Sequence, residues 1–217
     1  MAKILFVLTG VDYWTLADGT RHPTGFWAVK VRYGATPGGV VPTVDSASLA
    51  PEVNGGPDGA AAVTAALAEL AVLKEPLKLE DVDLADYAAV FYPGGHGPME
   101  DLWQDADSGR LLSAALASGR PLAVVCHAPV AMLATRSGGA SPFAGYRVTA
   151  YTNDEEAAVG LADRARWLVE DELVAMGVEF TRGEIWKPYT VVDRNLFTGQ
   201  NPASAAPLAG ELLKTLG

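Results

Sequence analysis

Short apolar runs alternate with longer stretches of helical spacing along this chain, and that alternation restricts it to a mostly parallel sheet covered by helices. The runs "KILFVL", "VKVRYGA", "AAVFYP", "PLAVVC" and "RVTAY" read as strands. Helices are expected in "DGAAAVTAALAELAVL", in "DSGRLLSAALASG", directly after Cys126, and along the whole of "DEEAAVGLADRARWLVEDELVAMG". "YTVVDRNLFTG" has the form of a hairpin around the Asp193 to Asn195 turn. Asn201 as N-cap and Pro202 at the first helical position signal the start of a last helix. Two loops of unusual composition, "GVDYWTLADGTRHPTGFWA" and "TPGGVVPTVDSASLAPEVNGGP", follow the first and second strands. Both leave C-terminal strand ends, the edge at which open α/β sheets bind ligands.

A chain of 217 residues is long enough to bury a substantial core, and residues 1–217 are expected to form one domain. The formal charge of -10 would repel a phosphate backbone, and no stripe of Lys and Arg interleaves with aromatics, so nucleic acid is not an expected partner. No run of about 18 apolar residues exists, so no membrane span is expected. "MAKILFVLTGVD" has a short apolar core, is interrupted by Asp12 and lacks a small-residue cleavage site, so it reads as a strand and not a signal peptide. A single cysteine excludes an intrachain disulfide and fits a reducing compartment; the expected location is cytoplasmic.

That cysteine, Cys126, stands between the buried run "LAVVC" and the helix-like "HAPVAMLA". A strand-to-helix turn of this kind exposes a nucleophile above the sheet and aims helix N–H groups at the reacting centre. The plainer reading is a small apolar residue filling a core, because free cysteine is among the most buried types. A second strand end, "FYPGGHGPMEDLW", makes a turn whose unhindered backbone at Gly94 and Gly95 can offer N–H groups to an oxyanion. His96 in that turn reads, by itself, first as a loop histidine with no catalytic part.

Together, "FYPGGHGPMEDL" and "AVVCHAP" resemble the ThiJ/PfpI superfamily, and the resemblance continues through "TNDEEAAVGLADRARWLVEDEL" and "VVDRNLFTGQNPAS" to cover nearly the whole chain. It looks most like the branch of stress-inducible holdase chaperones and cofactor-independent glyoxalase III enzymes. The resemblance implies a flavodoxin-like three-layer α/β sandwich with a nucleophile elbow at Cys126. It further implies that Cys126 is the nucleophile, that His127 is its acid/base partner, and that Glu156 orients the histidine, with Glu155 as the near competitor. The backbone N–H groups of Gly95 and His127 would form the oxyanion site, with Gly94 and His96 beside it. The alternative for both glutamates is an acidic first turn that suits the helix dipole.

Members of that family carry a further glutamate on the first helix, after a "TGFW"-like segment. Here "HPTGFWA" runs into "VKVRYGATPGG", and direct spacing puts the acid's place on Lys30, after Val29. The register that fits better equates "VKVRYGATPGGVVPTVD" with the family's second strand and the loop beyond it, so that the first crossover helix and its glutamate are both missing. An irregular crossover then leaves apolar sheet surface under-covered on one face. Trp14, Phe26 and Trp27 folded back over the sheet, or a homodimer interface, are the expected ways to shield it; ordinary core packing is the plainer role for the aromatics.

The resulting expectation is a cysteine-dependent enzyme on a small-molecule aldehyde or amide substrate, with glyoxalase III or hydrolase chemistry impaired by the missing acid. No metal or organic cofactor is expected, since His22, His96 and His127 have no spacing that suits zinc. The alternatives are a non-catalytic holdase on the same scaffold, and a peroxide-sensing thiol, which would need a stabilised thiolate.

Overall fold

The first apolar run forms β1 (Ile4–Val7), and the chain then makes a small antiparallel hairpin in place of a helix, β2 (Tyr13–Thr15) and β3 (Arg21–Pro23), before β4 (Tyr33–Thr36) pairs parallel to β1. The computed structural model describes residues 2–217; Met1 of the opening run lies outside the described residues. α1 (Pro57–Ala68) and β5 (Leu77–Lys78) follow, then β6 (Ala89–Tyr92), α2 (Ala106–Ala117) and β7 (Leu122–Val125). After Cys126 a 3₁₀ helix runs over Ala128–Thr135. β8 (Arg147–Val148), α3 (Asn153–Ala158), α4 (Val169–Ala175) and β9 (Glu179–Phe180) lead to the hairpin β10 (Thr190–Asp193) and β11 (Leu196–Gly199), and α5 (Ala205–Leu216) closes the chain.

Among the described residues seven strands form the central sheet in the order β10-β11-β7-β6-β1-β4-β5, antiparallel only between β10 and β11. The architecture is the three-layer α/β sandwich. Along β1, Leu5 and Val7 point into one layer, where Val90, Tyr92, Leu122 and Val124 meet Leu111 and Leu112 of α2 and Leu173 of α4. Phe91, Ala123, Val125 and Phe197 point the other way, against Leu208 and Leu212 of α5. Burial of each such side chain stabilises the fold by about 1.5–3 kcal/mol, and it fixes β6 beside β7, so that their two C-terminal turns lie together.

The crossover between β1 and β4 contains no helix, and the sheet shows it: Ile4 and Phe6 remain half-buried while Leu5 and Val7 are fully buried. The aromatics divide in a way the sequence did not indicate. Phe26 packs on the under-covered side with Leu8, Val31 and Leu73. Trp14 is buried in the opposite layer, held there because Thr15 donates from N and Oγ1 to Glu100 (2.9 and 3.0 Å) while Thr9 and Gly10 bond Asp101 (2.9 and 2.7 Å).

Several expected elements are shorter than their sequence patterns: the helix of "DGAAAVTAALAELAVL" ends at Ala68, the strand of "VKVRYGA" begins only at Tyr33, and two further cases bear on the site. The helix expected over 154–177 is broken: α3 ends at Ala158 with Val159 as its C-cap, Gly160 takes φ 73°, and a 3₁₀ turn at Ala162–Arg164 precedes α4. Glycine in the left-handed region is the usual helix stop, and here it outranks the apolar periodicity on either side. Of "RVTAY", only Arg147 and Val148 are strand, paired with β9 outside the main sheet. Beyond them the backbone bonds Thr198 Oγ1 from Thr149 N (3.0 Å) and Cys126 O from Tyr151 N (2.9 Å).

Candidate active site

Cys126 follows the last residue of β7 with φ 63°, a left-handed conformation that costs a non-glycine residue about 1–3 kcal/mol. Its own N–H donates to Gly199 O (2.9 Å) and its carbonyl accepts from Tyr151 N, so both neighbours hold the turn. An ordinary core cysteine needs no such backbone. We expect Cys126→Gly to be more stable than Cys126→Ala by about 1 kcal/mol, the reverse of the usual order inside regular structure, as read from urea midpoints of the two variants.

The β6 turn lies against this elbow. A Cβ on Gly94 would come 2.5 Å from Cys126 Cβ, and one on Gly95 (φ 96°) would run into Gly25 O, so neither position tolerates a side chain without movement. Trp27 N donates to Gly94 O (2.8 Å), and His96 N donates to Thr24 Oγ1 (3.2 Å), which in turn donates to Asp45 Oδ2 (2.9 Å). The crossover that replaced a helix thus clamps the glycine turn. The backbone N–H groups of Gly95 and His127 lie close enough to the Cys126 sulfur to favour its thiolate.

His127 Nδ1 is 3.2 Å from Cys126 Sγ, and His127 Nε2 is 2.8 Å from Glu156 Oε2. The second oxygen of the same carboxylate, Oε1, is 2.8 Å from His96 Nε2. The two imidazole centroids are 3.8 Å apart with the rings tilted by 40°; His96 stacks on Trp14 (4.8 Å), and His127 lies tilted against Tyr151 (4.2 Å). Glu155 points elsewhere. Its carboxylate accepts from Thr152 N and Oγ1, Trp186 N, Gln200 Nε2 and Asn201 Nδ2, which ties α3 to the chain ahead of β10 and to the start of the last helical segment.

Sequence reasoning brought Cys126, His127, Glu156, Gly94 and Gly95 to one place; it missed that His96 shares the carboxylate. His96, His127 and Glu156 present ligand atoms within 4.8 Å of one another and could hold a metal ion, a juxtaposition invisible in linear spacing. A cavity of about 520 Å³ opens onto Cys126, with His22, Trp27, Asp45, Arg164 and Trp186 in its wall. Val159, Gly160 and Leu161, where the expected long helix breaks, form part of that wall. Lys30 lies outside it, against α1. The carboxylate that does reach the cavity is Asp45, but its oxygens are engaged by Thr24 Oγ1 and Ala47 N.

Burial pushes the Cys126 thiol well up, against the two N–H groups that favour the thiolate. Burial, and then the neighbouring His96, lower His127 to about 4. Burial would raise Glu156, but the two histidines hold it well below the usual carboxylate range. These directions agree if Glu156 carries the charge and both Nε2 atoms donate to it. His127 is then a neutral imidazole with its Nδ1 lone pair toward the sulfur, suited to take the thiol proton as attack occurs. Because the folded value for His127 lies below the ordinary 6.5, its contribution to stability is fully present above pH about 6.5 and drains as pH falls toward about 4. The melting temperature should therefore drop between neutral pH and about pH 5, and His127→Asn should lack that part of the drop.

Residues 44–215 match the family described as the DJ-1/PfpI family. The "Protein/nucleic acid deglycase HchA" of Staphylococcus aureus is 34% identical over 148 residues, 63% of this chain and 50% of that protein. The chain spans about half the length of the curated relatives it matches. The solved structure of Rapid Encystment Protein 24 kDa from Francisella tularensis superposes with a TM-score of 0.85 at 24% identity, over 100% of both chains. Glyoxalase III from Candida albicans superposes with a TM-score of 0.82 at 23% identity, over 98% of this chain and 96% of that one. These two likenesses establish the shared fold.

Proposed function

The chain belongs to the DJ-1/PfpI family, and from that premise we propose that it is a cofactor-free, cysteine-dependent enzyme acting on small reactive carbonyl compounds, converting a dicarbonyl such as methylglyoxal to the 2-hydroxy acid. The observation that carries this reading is the left-handed Cys126, its sulfur 3.2 Å from a carboxylate-backed imidazole and close to two backbone N–H groups that favour its thiolate. Strain of that kind persists where the surroundings enforce it, and it gathers at reacting centres. The Staphylococcus aureus relative is named a deglycase, which fits the reading.

In the proposed mechanism the sulfur adds to the aldehyde carbon while its proton passes to His127 Nδ1. The oxyanion forms beside the Gly95 and His127 N–H groups and takes that proton, giving a hemithioacetal. Isomerisation yields a 2-hydroxyacyl thioester, and water releases the acid and restores the thiol. The cavity volume suits a small-molecule substrate, and a lone thiol is kept reduced in the cytoplasm, the proposed location. Among the described residues no helix is long and apolar enough to cross a membrane.

Proton NMR of methylglyoxal incubated with the purified chain tests the reading: lactate should accumulate without added metal, and an unchanged substrate signal would contradict it. The half-buried Ile4 and Phe6 favour a second reading, a holdase. Suppression of client aggregation that survives in Cys126→Ala, with no lactate formed by either protein, would select it. A peroxide sensor is disfavoured, because burial opposes the resting thiolate that sensing requires.

A further inference from the structure

We propose that His96 is a second acid/base of this site, the group that carries a proton between the two carbonyl-derived carbons of the substrate. The inference rests on the carbonyl reading above and supplies the step for which the chain has no first-helix glutamate.

Turnover of a dicarbonyl moves two kinds of proton. The thiol proton has an acceptor in His127 Nδ1, but that nitrogen faces the sulfur, and the His127 residue is only 1% exposed. The proton on the hemithioacetal carbon needs another base. His96 is backed by the same carboxylate, and with Nε2 donating to Glu156 Oε1 its lone pair resides on Nδ1. Among the described residues Nδ1 makes no hydrogen bond, and it is not one of the buried polar atoms left without a partner; it is therefore accessible, on a residue that lines the cavity. The ring is fixed by its stack on Trp14, 4.8 Å between centroids, and by the His96 N–H to Thr24 Oγ1 bond. A positioned base on a rigid mount, charge-backed and reachable from the cavity, is what proton transfer at carbon requires.

The other groups in the cavity wall fit less well. Asp45 already accepts from Thr24 Oγ1 and Ala47 N. The His22 ring lies 6.3 Å from His96, without a carboxylate behind it among the described hydrogen bonds.

The step balances within the substrate. The C–H bond of the hemithioacetal carbon breaks as His96 Nδ1 takes the proton, and the electrons of that bond form the C=C bond of an enediolate whose negative charge rests on the second oxygen. His96 then returns the proton to the neighbouring carbon, forming the new C–H bond. The hydroxyl proton moves from the first oxygen to the second, and the first carbon becomes the thioester carbonyl. No oxidant, reductant or co-reactant enters.

The test compares wild type with His96→Asn and His96→Ala. Methylglyoxal protection of Cys126 from iodoacetamide reports adduct formation, and lactate release reports turnover. The expected result is a kcat lower by about 100-fold or more in both variants, with KM and protection retained, and partial recovery of His96→Ala by added imidazole. Wild-type kcat in His96→Asn would overturn the proposal. So would protection lost in parallel with kcat, because His96 would then act only by positioning Glu156 and His127. A wild-type chain whose Cys126 is never protected and which releases no lactate would overturn the carbonyl reading itself, and the role of His96 with it.

Discussion

Cys126→Ala is expected to bring methylglyoxal conversion down to the uncatalysed background, a loss on the order of 10⁴-fold or more. The proposed chemistry passes through a carbon–sulfur bond, and among the described residues no other nucleophile with an imidazole partner lines the cavity. The fold should persist. The backbone bonds of residue 126, to Gly199 O and from Tyr151 N, do not involve the sulfur, and the remaining backbone strain affects stability without removing the sheet. Activity measured beside far-ultraviolet circular dichroism separates the two effects. A variant that keeps wild-type turnover would remove Cys126 from the mechanism.

Glu156→Gln should cost nearly as much, on the order of 10³–10⁴-fold in kcat, for a reason of hydrogen-bond counting. The carboxylate accepts from two Nε2–H groups, one on each oxygen. An amide offers one oxygen and one NH₂, so one histidine must meet a donor with a donor. If it is His127, the ring is driven to the tautomer with hydrogen on Nδ1, and the base opposite the sulfur is lost. Glu155→Gln is the informative contrast. Five donors converge on that buried carboxylate, so the change should reduce stability by about 1–3 kcal/mol while kcat of the folded protein stays near wild type. Equal kinetic losses in both variants would mean that Glu156 acts only through the packing of α3.

The elbow and its glycine turn were legible in the chain because both depend on local pattern, an apolar strand ended by residues that allow a sharp turn. The Asp193 to Asn195 hairpin was legible for the same reason. Arg194 takes φ 56° in the two-residue connection between β10 and β11. The choice between Glu155 and Glu156 was not, since adjacent residues on a helix point about 100° apart and only the docking of α3 decides which one faces the histidines. His96 was legible as a residue of the turn but not as a partner of Glu156, a contact 60 positions away in sequence. The break at Gly160 escaped because apolar spacing on both sides suggested continuity, whereas the chain there turns to wall the cavity.

The central claim is that the Cys126 sulfur bonds covalently to a carbonyl carbon. The measurement that tests it most directly is the mass of the Cys126 peptide after rapid acid quench of the chain during methylglyoxal turnover. The account predicts a fraction of that peptide heavier by one substrate molecule, appearing before lactate, decaying as substrate is exhausted, and absent in Cys126→Ala. Steady lactate formation with the Cys126 peptide unmodified at every time point would contradict it.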